Sequence, residues 1–254
     1  MDTTMDGSVY TPVDTPFRGV TSGSNVYLHL REDIRSGLIA PWEKLTENGL
    51  SQRFGVSRTP VREAVTRLTA EQVLERRSDG LSLSMPDLRT VEGLYELRMT
   101  LEMRGLSRSI EGLTGNRDTT ELLSLREEWS ALRAGHHPDA VRLAALDERF
   151  HLTLLRNAGE PVLAESLQTV CDRIRGIRVF GYLTAERTDE AAQQHLRILD
   201  SVLDGVHAGA MQELRAHIEQ SRQAAVKRAA ETFAAFQLAR DYQSAGAGRL
   251  PPVR

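Results

Sequence analysis

Residues 54–68 read FGVSRTPVREAVTRL, and the order of residue types in this stretch decides the architecture around it. Gly55 is a helix stop, and Ser57 is an N-cap for the helix that follows. Pro60 falls in the first turn of that helix, where the N–H that proline lacks would have no intrahelical partner. Val61, Val65 and Leu68 then recur at helical spacing and form one apolar stripe. Upstream, Val26, Leu30, Ile34 and Leu38 repeat every four residues, which predicts a first helix closed by Gly37 and Pro41. A short second helix lies between the two, with Thr46 as N-cap and Leu50 and Phe54 turned inward. Downstream, ERRSDGLSLS (75–84) holds an Asp79-Gly80 turn, with Leu81 and Leu83 alternating against serines, which predicts a β-hairpin.

Three short helices followed by a two-stranded hairpin make a winged helix-turn-helix. Its third helix fits a DNA major groove, about 12 Å wide, with the N-terminal residues against base edges. Arg58 and Arg62 are four apart and share a face away from the apolar stripe, and Ser57 and Thr59 add hydroxyls beside a helix N-terminus that favours phosphate. The hairpin carries Arg76 and Arg77, and Gly80 allows close approach to a DNA backbone. Residues 51–77 contain six arginines against three glutamates, a local balance of +3, while the whole chain carries −3. On charge alone these arginines fit a solvated helix face equally well. Of the 32 cationic residues only Lys44 and Lys227 are lysines, a bias that a GC-rich coding sequence also produces. Arginine nonetheless offers a planar fork for phosphates, carboxylates and guanine edges.

Residues 1–23 hold prolines, glycines, threonines and serines without periodicity and read as a flexible arm; the winged unit spans 24–85. Pro86 marks the boundary. From Leu88 to about Tyr242 the pattern is of long amphipathic helices, punctuated at Gly112–Gly115, Gly135–Pro138, Gly159–Pro161 and Gly205–Gly209, so residues 86–243 read as an antiparallel bundle of about six helices. The tail, 244–254, is rich in glycine and proline and reads as disordered. Aromatic residues make up 5% of the 254, too few for a typical all-β domain, and the lone Cys171 excludes a disulfide framework and a thiolate-rich zinc site. No apolar run has the length of a membrane helix and the acidic N-terminus lacks a signal-peptide core, so a soluble, mainly α-helical, cytoplasmic protein is expected.

Within the bundle, Asp147 and His151 of DERFH are four apart on one helix face. His195 and His217 fall on two later helices across the Gly205–Gly209 break, a spacing that suits antiparallel neighbours. One carboxylate and three imidazoles fit Zn²⁺, Ni²⁺, Mn²⁺ or Fe²⁺ with positions left for a ligand. Any one of these histidines alone fits equally a core or surface residue with no ligand role.

The run FGVSRTPVREAVTRL, with LREDIRSGLIAPWEKLTENGLSQ (30–52) before it, resembles the GntR family of bacterial transcription regulators over residues 26–84. The resemblance implies DNA contact by Ser57, Arg58, Thr59 and Arg62, with Gly80 at the wing tip. Trp42 stands where the family usually has glycine. Asn48 stands where some members place a DNA-contacting basic residue, and it implies an altered sequence preference. LYELRMTLE (94–102), LDERFHLTLLRNAG (146–159) and HLRILDSVLDGVHAGAMQELRAHI (195–218) resemble the FCD ligand-binding domain of the FadR subfamily. That resemblance implies a seven-helix-type bundle holding a divalent metal through Asp147, His151, His195 and His217, with a small carboxylate effector reaching the metal. Departures are Gln194 for a usual glutamate, Val206 for an aspartate and Glu160 for an asparagine. Arg98 matches a position facing the effector cavity; its alternative is a surface ion pair with Glu102. Arg173, Arg175 and Arg178 fit either cavity or surface, and His29, His136, His137 and His207 are expected at the surface.

The expectation is a ligand-responsive, homodimeric regulator, a repressor of a catabolic operon acting on an inverted-repeat operator. A metalloenzyme built on the same four residues is the alternative; it is disfavoured because no HExxH helix, nucleophile elbow or phosphate loop occurs. A nonspecific architectural DNA protein conflicts with the net charge.

Overall fold

The computed structural model describes residues 23–41, 43–77, 80–113, 119–133, 139–179 and 185–246. The arm up to residue 22, Trp42, Asp79, His136, His137 and the tail from 247 lie outside the described residues. The N-terminal head comprises α1 (Gly23–Arg35), α2 (Glu47–Phe54), α3 (Arg58–Ala70) and the antiparallel pair β1 (Leu74–Arg77) and β2 (Gly80–Leu83). Thr46 caps α2, its hydroxyl accepting from the Gly49 N–H at 3.0 Å, and Gly55 ends α2 in the left-handed region at φ 65°. Ser57 has the extended backbone of an N-cap, but its hydroxyl makes no capping bond.

Val26, Leu30, Ile34, Leu50, Phe54, Val61, Val65 and Leu68 are all buried in one core with Leu74, Leu81 and Leu83. Leu38 departs from the expected stripe: it is exposed, and Ile39 is buried in its place. The cause is local, since α1 stops at Arg35 and Gly37 turns the chain at φ 80°, which breaks the four-residue phase. The hairpin pairs Leu74 with Leu83 and Arg77 with Gly80, and Leu45 adds a bridge to Leu81 on the other edge of β2. Gly80 has φ 140°, and a Cβ there would sit 2.9 Å from the Leu45 carbonyl oxygen, so a glycine is needed to let the two backbones meet.

Six helices follow among the described residues: α4 (Leu88–Ile110), α5 (Thr120–Arg133), α6 (Ala140–Asn157), α7 (Pro161–Val179), α8 (Ala185–Leu203) and α9 (His207–Gly246). Asp87 caps α4 through the Thr90 N–H at 2.8 Å, and Asp139 caps α6 through Val141 and Arg142. Helix α9 runs past the expected start of the tail at 244. Helix α4 packs on α9, α7 and α6, while α8 lies between α5 and α9. Trp129, Phe150, Leu167, Ile174, Leu199 and Ile218 lie at the centre of this second core. Burying each such side chain contributes about 1.5–3 kcal/mol, which is why the long apolar stripes dominate the choice of helix neighbours.

Head and bundle thus have separate cores, linked by a small apolar contact in which Ala40 meets Val141, Ala144 and Val179. The connector also lies tightly on α7: a Cβ on Gly176 would sit 2.8 Å from both the Ser84 carbonyl oxygen and the Met85 sulfur. Among the described residues no helix is long and apolar enough to cross a membrane.

Candidate metal centre and nucleic-acid interface

Helix α6 presents Asp147 and His151 from one face, α8 presents His195, and α9 presents His217. All four are buried, and one ligating atom from each lies within 4.8 Å of all the others. The Asp147 Oδ1 atom is 3.3 Å from His195 Nε2, 3.8 Å from His151 Nε2 and 3.9 Å from His217 Nε2. Tetrahedral zinc with bonds of about 2.0–2.1 Å needs ligand atoms roughly 3.3 Å apart, so the set is already near coordination distance.

The tautomers point the same way. His151 Nδ1 lies 2.6 Å from Glu102 Oε2 and His217 Nδ1 lies 2.8 Å from Gln194 Oε1, so each ring donates from Nδ1 and turns an Nε2 lone pair inward. Those two Nε2 atoms face each other at 3.2 Å, an arrangement that a cation between them would satisfy. His195 is packed between Trp129 and Phe150, with ring centroids 4.0 and 4.1 Å away, and among the described residues neither of its nitrogens makes a hydrogen bond, Asp147 being an ionic neighbour only. A buried imidazole with two unsatisfied nitrogens is costly unless something ligates it. Burial first, then the charge of Arg98, holds His151 down to about 4. His195 and His217 are lowered well below the ordinary imidazole value, again chiefly by burial and then by neighbouring histidines. Neutral rings are the ligating form.

The residues around this set were only partly legible. Arg98 does pair with Glu102, at 2.7 Å, but the pair is fully buried where a surface pair was the alternative. Against the cost of burial, His151 and Arg98 hold the Glu102 carboxyl down to about 2, so it stays charged and orients His151. Arg98 does not line the cleft that opens beside the cluster. That cleft is lined by Tyr95, Arg178, Arg187, Gln194, His217 and Gln220, among others. Of the three undecided arginines, Arg178 is buried against Asp147, Arg175 is buried against Glu148, and Arg173 is half-buried in the crevice below the head. Gln194 retains an acceptor where a glutamate was usual. The spacing of Arg98 and Glu102 was the one available signal for Glu102. Nothing local separated Arg178 from Arg173 and Arg175.

On the head, Asn48, Ser57, Arg58, Thr59 and Arg62 are all exposed, with Gly80 half-buried. Arg58 donates to Asn48 Oδ1 at 3.1 Å, and Arg62 and Arg76 both reach Glu47, at 3.3 and 2.9 Å. Glu47 escaped the sequence reading. The Arg76 hydrogen bond holds its carboxyl below the usual range, and it gathers two arginines from helix and hairpin on one side.

Residues 23–80 match the family described as bacterial regulatory proteins of the gntR family, and residues 93–220 match the FCD domain. An uncharacterized HTH-type transcriptional regulator of Bacillus subtilis, YdhC, is 27% identical over 75% of this chain and 85% of its own. The Nta operon transcriptional regulator of Aminobacter aminovorans is 28% identical over 71% of this chain and 83% of its own. A crystal structure of a putative GntR transcriptional regulator from Rhodococcus sp. RHA1 shares the fold at TM-score 0.68 and 19% identity, covering 81% of this chain and 97% of that one. With a winged DNA-binding head and an FCD bundle whose Asp/His cluster can hold a metal, the chain belongs to the GntR family of bacterial transcription regulators and is not an enzyme.

Proposed function

We propose that the protein is a cytoplasmic, homodimeric repressor of the FadR subfamily that controls a catabolic operon and senses a small carboxylate through a divalent metal in its FCD bundle. Residues 24–85 form the DNA-binding domain and 86–243 the sensing and dimerisation domain. Asp147, His151, His195 and His217 hold the ion, which is Zn, Ni, Mn or Fe. The observation that carries this reading is the buried convergence of those four side chains beside an arginine-lined cleft. One aspartate and three neutral imidazoles leave a divalent ion with a net positive charge, and Arg178 at the cleft adds another. When bound, the ion supplies a Lewis-acidic position for one carboxylate oxygen, and Arg178 pairs the other or a second carboxylate. Arg98 acts from behind, keeping Glu102 charged beneath His151.

Ser57, Arg58, Thr59 and Arg62 read the major groove, Asn48 adds a contact from α2, and the wing at Gly80 approaches the backbone. A single head covers only a few base pairs, so the operator is an inverted repeat read by two heads. The Aminobacter aminovorans relative, named for the operon it regulates, supports control of an operon. A gel shift on the intergenic DNA upstream of the gene tests the reading, run with zinc and a panel of small carboxylates. Retention that changes with one carboxylate supports it, and retention indifferent to every carboxylate and to chelation removes the sensing role.

A further inference from the structure

The two cores are joined by a part-buried ionic contact that the metal and DNA sites do not use. Asp172 on α7 has a side chain only 2% exposed, and it accepts from two arginines of α1. Arg31 donates Nε and Nη2 to Oδ2 at 2.9 and 2.7 Å, and Arg35 donates Nε to Oδ1 and Nη2 to Oδ2, both at 3.0 Å. Two guanidinium forks on one carboxylate fix direction as well as distance, because each fork is planar and bidentate.

The carboxylate is held from both sides. Gln168, one turn earlier on α7, donates to Asp172 Oδ1 at 3.2 Å and to Glu148 Oε1 at 2.7 Å. Glu148 also pairs with Arg175 and directly follows Asp147, which pairs with Arg178. Gln168, Asp172 and Arg175 fall on one face of α7 at i, i+4 and i+7, so α6 and α7 are pinned together beside the Asp/His cluster. Toward the head, Arg31 donates to the Tyr27 hydroxyl at 2.8 Å, and that hydroxyl donates to Glu71 just past α3. Arg67 of α3 lies 3.7 Å over the Tyr27 ring and pairs with Glu71 at 3.0 Å.

We propose that Asp172 is a positioning residue for the DNA-reading head: by docking Arg31 and Arg35 of α1 while tied through Gln168 to Glu148, it carries the state of the Asp147–His151–His195–His217 cluster to helix α3. The proposal rests on the metal-binding reading above. A ligand at the cluster fixes Asp147 and with it the neighbouring Glu148, and the chain of part-buried hydrogen bonds then holds the head in one orientation. Only a difference in contact between the two states of α6 and α7 can move the head. The apolar contact at Ala40 offers no such directional link, since it has no fixed donor–acceptor geometry.

Hydrogen exchange of the α1 amides in the full-length chain tests this, with zinc or with chelator and with bound zinc measured alongside. The wild type is compared with Asp172→Asn, Asp172→Glu and Arg31→Ala/Arg35→Ala. Zinc should slow α1 exchange at least about fivefold in the wild type and in Asp172→Glu, the lower end of typical coupling between sites, and less than about twofold in the other two. Uptake of zinc should be equal in all four proteins. A wild-type zinc response of α1 in Asp172→Asn overturns the joint, as does a wild type that binds zinc without any α1 response. A wild type that takes up no zinc overturns the metal reading itself. If Asp172→Asn loses its helical signal, the double arginine variant decides, because its changes lie on the half-buried head side. A full α1 response there overturns the proposal.

Discussion

Glu102 and His151 form a fully buried couple, with 2.6 Å between Oε2 and Nδ1. Arg98 holds the other carboxylate oxygen at 2.7 Å, so one charge is balanced on one side and spent on orienting an imidazole on the other. The couple fixes which nitrogen of His151 faces Asp147, and it does so without touching the ligand position.

Glu102→Gln should therefore lower metal affinity while leaving the four ligating side chains in place. Loss of such a supporting partner costs about 10–100-fold in metal affinity. Competition against a chromogenic chelator measures it, and an unchanged affinity would mean that His151 is oriented by packing alone.

The metal-free chain should lose stability as pH falls. His151 titrates near 4 in the folded chain, against an ordinary value of 6.5, and His195 and His217 are lowered in the same direction. Below the ordinary value the unfolded chain binds protons that the folded chain refuses, so unfolding is favoured down to the folded value. The slope approaches about 1.4 kcal/mol per pH unit for each histidine within that window. Urea midpoints at about pH 7 and about pH 5 report it. Equal midpoints would contradict the burial of neutral imidazoles.

His195→Ala/His217→Ala should abolish stoichiometric metal uptake and with it the rise in melting temperature on adding metal, since an ion bound only by the folded state stabilises by mass action. Calorimetry with metal analysis decides between this and a structural role: a double mutant that keeps stoichiometric metal removes these residues from the site.

Arg58→Ala and Arg62→Ala should each weaken specific DNA binding by about 1–3 kcal/mol, the range of a good bidentate base contact. Their partners Asn48 and Glu47 are surface groups, so the thermal transition should barely move. Fluorescence anisotropy with the upstream intergenic DNA reads this out. Wild-type affinity in both variants would place the reading face elsewhere.

Gly80→Ala should destabilise the head without touching the bundle. The substitution forces φ 140° on an alanine and brings its Cβ to 2.9 Å from the Leu45 carbonyl oxygen. Strain of this kind costs about 1–3 kcal/mol. A head that unfolds at the wild-type urea concentration would show that the Leu45–Leu81 bridge yields easily.

The sequence by itself determined what depends on a few consecutive residues. Thr46 and Gly55 bound α2 because capping is a contact across three or four residues, and Val61, Val65 and Leu68 face the core because a helix repeats on that scale. Family resemblance and spacing together marked Asp147, His151, His195 and His217, and the structure brings all four within reach of one ion. Local pattern failed where a single turn changed phase, as at Leu38 and Ile39. Tertiary structure alone decided the rest. Whether Arg98 met water or Glu102 in a sealed interior depended on α4 packing against α6, α7 and α9, and Arg178 met Asp147 only because α6 and α7 are neighbours. Asp172 lies 141 residues from Arg31 along the chain. Their pairing is a long-range electrostatic choice between charged groups, made only when two separately formed cores dock, and no periodicity in either helix announces it.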